Sequence, residues 1–248
     1  MIKLIDINKS FGKQIVLQNL NFAIESGKIT VIIGRSGSGK SILLKHIIGL
    51  VRPDRGAVWV DDIDITKLND RDLNNIRKKF GMLFQEAALF DSMDVGENIA
   101  FPLREHSRMT DKQIHETVAD RLAAVGLSGV ESKMPSELSG GMRKRVGLAR
   151  AIALLPQIVL FDEPTSGLDP VMSEAINQLI KDTQRNFNLT CIVISHDIES
   201  IFKIGDTIAM LYEGKIIESG TPDEIRASAN PVLKQFLTGS IEGPIKIV

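Results

Sequence analysis

Eight consecutive residues, Gly34-Arg35-Ser36-Gly37-Ser38-Gly39-Lys40-Ser41, have the P-loop spacing GxxxxGK[ST]. Phosphates carry dense negative charge, so holding them takes many N–H groups converging on one place. Glycines let the backbone curl that tightly, and a helix that follows adds its positive dipole end. In such a loop Lys40 reaches the β- and γ-phosphates and the Ser41 hydroxyl ligates Mg²⁺. By composition alone the string arises in about one chain of this length in a hundred. Here it also follows a continuous apolar run and opens an apolar helical stretch, the context that the chemistry requires.

Two further strings carry complementary chemistry. Ile158-Val159-Leu160-Phe161-Asp162-Glu163 is four apolar residues ending in two carboxylates. A buried strand of this kind delivers its carboxylates to the sheet edge where a P-loop also lies. Asp162 is placed to hold Mg²⁺ through water, and Glu163 to orient and deprotonate the attacking water. Leu138-Ser139-Gly140-Gly141-Met142 offers a second anion site: a hydroxyl, two glycine amides and a helix N-terminus, all donors. Two phosphate-binding loops but one complete P-loop imply that two chains share each nucleotide.

The elements needed to position these strings are visible in the hydropathy pattern. Ile29–Ile33 is apolar throughout, as a strand buried on both faces must be, and Ser41–Leu50 is an apolar helix. Ile2–Ile7 alternates with period two, and Ile15–Ile24 and Val58–Val60 read as further strands. The middle third is helical and more polar. Thr110 with Gln113 makes a capping box, Ile114, Val118, Leu122 and Val125 share one face, and Gly126 closes the helix. Ser139 caps a second helix that runs toward Pro156. Ile158–Phe161 and Cys191–Ile194 are buried strands around a helix over Ser173–Asn186, and Thr207–Leu211 pairs with Lys215–Glu218 as a hairpin. This predicts one α/β domain over residues 1–240: a core of about 1–86 and 156–238, a helical insertion of about 87–155, and a C-terminal tail, 241–248.

Composition excludes other classes. The 248 residues are 43% apolar, 25% charged and 5% aromatic, which rules out collagen, mucin and wholesale disorder. Thirty basic against 31 acidic residues leave a net charge of −1, without the basic surplus of a nucleic-acid binder. The lone Cys191 forms no internal disulfide, which points to a reducing compartment, and it reads as a small core residue. No run approaches the roughly 18 apolar residues of a membrane span, and the N-terminus lacks a secretory apolar region, so the expectation is a soluble protein or one held to a membrane by a partner. His46, His106 and His115 match no catalytic position.

Taken together, the strings resemble the ATPase subunit of ABC transporters over about residues 1–240. That resemblance implies a P-loop NTPase fold with a RecA-like core, an N-terminal antiparallel β subdomain and a helical subdomain. It implies ATP and Mg²⁺ as ligands. Phe11 matches the aromatic that stacks on adenine, with Val16 beside it. Gln85 in Leu83-Phe84-Gln85 matches the Q-loop glutamine, which contacts Mg²⁺ and the attacking water and links to the membrane subunit. Ser166-Gly167-Leu168-Asp169 matches the D-loop, and His196 the switch histidine that senses the γ-phosphate. The implied assembly is a head-to-tail homodimer with ATP held between each P-loop and the opposite Ser139-Gly140-Gly141, bound to integral membrane permease subunits.

Met142 stands where most of the family has Gln, and Ile42 where Thr is usual. Gly81–Val95, Pro102–His106, Met134–Glu137 and Gln235–Pro244 are similar to the Mla-type subfamily, partners of Mce-domain lipid-binding proteins. The resemblance implies phospholipid as cargo and a location on the cytoplasmic face of the inner membrane. An amino-acid or other small-solute importer is the alternative. DNA-repair and chromosome-organising ATPases carry long coiled coils between the two motifs, absent from this sequence. Ribosome-associated relatives usually join two such domains in one chain. Ala87, Ala88, Leu89, Phe90 and Met93 either form a groove for a permease helix or fill the core of the helical subdomain. The end, Ile245-Lys246-Ile247-Val248, alternates like a strand, to dock on a neighbour or fray.

Overall fold

A computed structural model describes residues 1–246. Its contacts divide the chain into two units: Met1–Leu73 with the chain from Ile194 onward, and Asn74–Val193.

The first unit begins with β1 (Ile2–Phe11) and β2 (Gln14–Ile24), an antiparallel hairpin. Ile2, Leu4 and Ile7 are buried while Lys3 and Ile5 face out, and register shifts after Leu4 follow the left-handed backbone at Asp6 (φ 50°). Next come β3 (Ile29–Ile33), buried at every position, and α1 (Lys40–Ile47), whose Leu43, Leu44 and Ile47 are wholly buried. β4 (Arg55–Val60) and β5 (Ile63–Asp64) complete a four-stranded sheet in the order β2-β1-β4-β5, the antiparallel subdomain that the sequence implies. The acidic start and basic end of α2 (Asp70–Arg77) suit a helix dipole, and the helix crosses into the second unit.

In that second unit β6 (Phe80–Leu83) is followed by three helices: α3 (Val95–His106), α4 (Asp111–Ala124) and α5 (Gly140–Ala151). Then come β7 (Ile158–Asp162), α6 (Pro170–Phe187) and β8 (Thr190–Ile194). β6 and β7 are parallel, Phe80 opposite Ile158 and Leu83 opposite Phe161, and β8 is the next strand beyond β7. Thr110 and Gln113 form the expected capping box, and Asp94 with Glu97 forms one for α3. Helix α5 is short of the expected Pro156, because the chain turns from Ile152 and Leu155 takes a left-handed φ of 51°.

The first unit resumes with α7 (Ile198–Ile204), β9 (Thr207–Tyr212), β10 (Lys215–Gly220), α8 (Pro222–Ala227) and α9 (Pro231–Thr238). β9 lies parallel to β3, with Thr30 opposite Thr207, and antiparallel to β10.

Two alternatives that the sequence left open are narrowed. Of the five apolar residues after Gln85 only Ala87 is buried as a core residue; Phe90 is 42% exposed, and its ring lies 5.0 Å from that of Phe101, itself exposed. The tail does not fray at Ile245, which is buried: Gln235 accepts from its N–H at 2.6 Å and donates to its carbonyl at 3.2 Å. Ile245 and Lys246 lie outside any strand, and the expected continuation at Ile247 and Val248 falls outside the described residues.

Candidate functional site: a P-loop and a carboxylate network

In the first unit the loop Gly34–Ser41 joins β3 to α1. Gly34 has φ 151°, and a Cβ there would meet the Leu211 carbonyl oxygen of β9 at 2.3 Å. Gly39 caps α1 with φ 99°, and a Cβ there would stand 3.0 Å from Val16 Cγ1. Glycine at these two positions is therefore a steric requirement of the parallel sheet beneath and of the β1–β2 hairpin alongside. The buried Lys40 ammonium donates to the carbonyls of Gly34 (2.7 Å) and Arg35 (2.8 Å), lying across the loop that it follows. Ser38 Oγ is buried without a hydrogen-bond partner, a costly state for a hydroxyl that a phosphate oxygen would relieve. The residues of the loop thus fit an anionic phosphate ligand.

Phe11 and Val16 belong to the same unit. Phe11 is 47% exposed at the tip of the hairpin, with Lys9 Nζ over its ring, 5.4 Å from the centroid. His196 also falls here, exposed just past β8; the preceding Ser195 donates its N–H to the Ile32 carbonyl of β3 at 3.4 Å. Asp197 then caps α7 by accepting from the N–H groups of Glu199 and Ser200. His46 is buried in α1, its Nδ1 2.7 Å from the Ile42 carbonyl, and burial holds its pKa below the ordinary histidine value.

The second unit holds the carboxylates and both remaining loops. Asp162 ends β7, and Glu163 follows with a left-handed φ of 50°, unusual for a non-glycine residue. Gln85, just past β6, donates through Nε2 to Ser166 Oγ at 3.3 Å, joining the segment after β6 to the turn before α6. Asp169 caps α6, accepting from Val171 N–H (2.9 Å) and Met172 N–H (3.0 Å). Ser139 caps α5 by accepting from Met142 N–H at 3.3 Å, which leaves the hydroxyl hydrogen to donate. Gly140 and Gly141 follow, and a Cβ on Gly141 would meet Met172 Cε at 2.2 Å.

One contributor is absent from the motifs. Lys144, buried on α5, donates to the carbonyls of Gln85 and Glu163. Burial pulls its pKa down, while the charges of Glu86 and Glu163 act upward. Arg150, two turns further on, donates to the carbonyls of Ala87 (2.7 Å) and Ala88 (2.8 Å), both in left-handed backbone. The available signal was a cation, Lys144, at helical spacing from Gly141, Gly147 and Leu148, all buried.

The fold and these motifs define a class. Residues 17–166 match the ABC transporter family, and the chain belongs to that family as one of its ATP-hydrolysing cassettes. Among curated relatives it is 44% identical over 235 residues to the intermembrane phospholipid transport system ATP-binding protein MlaF of Haemophilus influenzae, covering 95% of this chain and 89% of that one. It is also 44% identical over 239 residues to the probable ribonucleotide transport ATP-binding protein mkl of Mycobacterium tuberculosis (strain H37Rv), covering 96% of this chain and 67% of that one. A dimeric ATP-binding cassette, solved in a post-hydrolysis state bound to ADP and Pi, superposes with a TM-score of 0.82 at 34% identity over 90% of this chain and 99% of its own.

Proposed function

We propose that this chain is the ATPase of a transporter that moves lipid, most simply phospholipid, between membranes. The observation that carries the cargo is its 44% identity to MlaF over 89% of the length of that protein. It works as a homodimer on membrane permease subunits, at the cytoplasmic face of an inner membrane, with an Mce-domain protein as the lipid-binding partner. Among the described residues no helix is long and apolar enough to cross a membrane, consistent with attachment through a permease. The exposed Phe84, Phe90 and Phe101 with the half-buried Leu89 supply an apolar surface for a short permease helix. The domain reading of the sequence is kept: a RecA-like and β core around an inserted helical subdomain.

The chemistry follows from the residues. Phe11 stacks on adenine and Val16 lines the same side. The amides of Gly34–Gly39 and the Lys40 ammonium hold the β- and γ-phosphates. Ser41, Gln85 and Asp162 would hold Mg²⁺, which when bound neutralises phosphate charge. Glu163 takes a proton from the attacking water, Gln85 orients that water, and His196 and Asp169 report on the γ-phosphate end. Ser139, Gly140 and Gly141 of the opposite copy donate to the γ-phosphate, so ATP favours the closed dimer and hydrolysis releases it.

Mass spectrometry of the native membrane complex, bound lipid included, tests this reading. A co-purifying Mce-domain subunit and phospholipid are expected. A periplasmic amino-acid-binding protein, or a nucleotide-binding one as the mkl name invites, would overturn the lipid cargo.

A further inference from the structure

Resting on that catalytic reading, we infer that Lys144 is a positioning residue: one buried ammonium sets the Gln85 and Glu163 peptides at a fixed separation, and so aims the base at its water. Its Nζ donates to the Gln85 carbonyl and, at 3.4 Å, to the Glu163 carbonyl. These acceptors stand 59 positions before it and 19 after it in the chain, so no local motif brings them together.

The backbone at Glu163 gives this contact its importance. A non-glycine residue at φ 50° lies in a sparsely populated region and persists only where the surroundings over-determine it. A charge-assisted bond to the carbonyl of that same residue is one such constraint. Loss of it frees the Glu163 peptide to rotate, and the carboxylate moves with it.

The other end of the bridge is rigid. Arg150 holds the carbonyls of Ala87 and Ala88, and Gly147 lets α5 approach so closely that a Cβ there would meet Leu83 Cδ1 at 2.8 Å and Ala87 Cβ at 3.0 Å. The segment after β6 is thereby splinted along α5, and Lys144 extends that splint to the catalytic carboxylate. The Gln85 side chain, bonded to Ser166 Oγ, is fixed by the same arrangement. Lys144 acts through Glu163 and Gln85.

The test is a double-mutant cycle on the full chain in its membrane complex, with steady-state ATPase kinetics and equilibrium binding of a fluorescent ATP analogue. Lys144→Met keeps the stem and removes the donors. It should lower kcat about 10–100-fold, the scale of a misplaced catalytic group, with KM and analogue affinity within about twofold. Lys144→Arg, which keeps charge and N–H donors, should recover to within about threefold of wild type. Made in the Glu163→Gln background, Lys144→Met should cause no further loss, because the group it aims is already gone. Wild-type kcat in Lys144→Met, or losses that multiply independently in the double variant, overturn the proposal. If Lys144→Met does not fold, Lys144→Leu, which also lacks a donor, carries the same comparison; if neither folds, the lysine holds the fold and the proposal is overturned. Glu163→Gln alone separates the two readings: slow Glu163→Gln with fast Lys144→Met defeats only this inference, whereas fast Glu163→Gln defeats the catalytic assignment beneath it.

Discussion

The P-loop and the Glu163 region, which the proposed function assigns to one reaction, are held in shape by different means. Gly34–Ser41 is continuous chain, and its form comes from backbone freedom plus the Lys40 bonds to Gly34 and Arg35, six and five residues away. The Glu163 region is assembled from β6, α5, β7 and the D-loop, with Lys144 and Gln85 reaching across gaps of 59 and 81 positions. A continuous loop tolerates change in distant packing but not an added Cβ. An assembled network tolerates local variation but fails when a tether is cut.

The largest expected effect falls in the network. Glu163→Gln should leave ATP binding intact and slow hydrolysis by about 10²–10⁴, roughly 3–5 kcal/mol of barrier, read as single-turnover rate beside equilibrium affinity. Lys40→Ala should give the converse pattern: ATP affinity weakened about tenfold or more, by removal of a charge-assisted phosphate contact. Unchanged affinity there would contradict the phosphate role of the loop. Gly34→Ala should destabilise the fold by about 1–3 kcal/mol in denaturant unfolding, because its methyl has no room beside the Leu211 carbonyl. Leu89→Glu should change melting temperature little and lose the co-purifying permease; an unfolded product would return this segment to the core.

The smallest effect is a pH slope in the P-loop unit. Burial holds the folded His46 pKa below the ordinary 6.5, so the unfolded chain binds the proton more readily. Stability is therefore full above about pH 6.5 and is lost as pH falls toward the folded value. His46→Leu should flatten the decline in melting temperature between pH 7.5 and 5.5; an unchanged slope would assign it to other groups.

Much of the candidate site was legible in the sequence because local order carries it. The strands that precede Gly34 and Asp162 are apolar at nearly every position, since both faces are buried, and the loops after them have fixed spacing. Helix α3 was not legible: Gly96 near its start and Pro102 within it break the helical pattern, and Asp94 with Glu97 supplies a cap that only the fold makes visible. The short strand β6 was missed because four residues give too little alternation, and its pairing with β7 is remote. The surface position of Phe90 was undecidable, since a docking surface and a core share one composition.

By itself the amino-acid sequence determined the phosphate loop, the carboxylate pair, the serine–glycine cap and the family, all properties of contiguous residues whose backbone geometry is set within a few positions. Only the tertiary structure decided that a lysine on α5 ties Gln85 to Glu163, that Ala88 and Phe90 are exposed while Ala87 is buried, and that Gln235 anchors Ile245. The reason is physical. A glycine declares its torsional freedom wherever it stands, but a buried ammonium has meaning only through the carbonyls that folding brings to it.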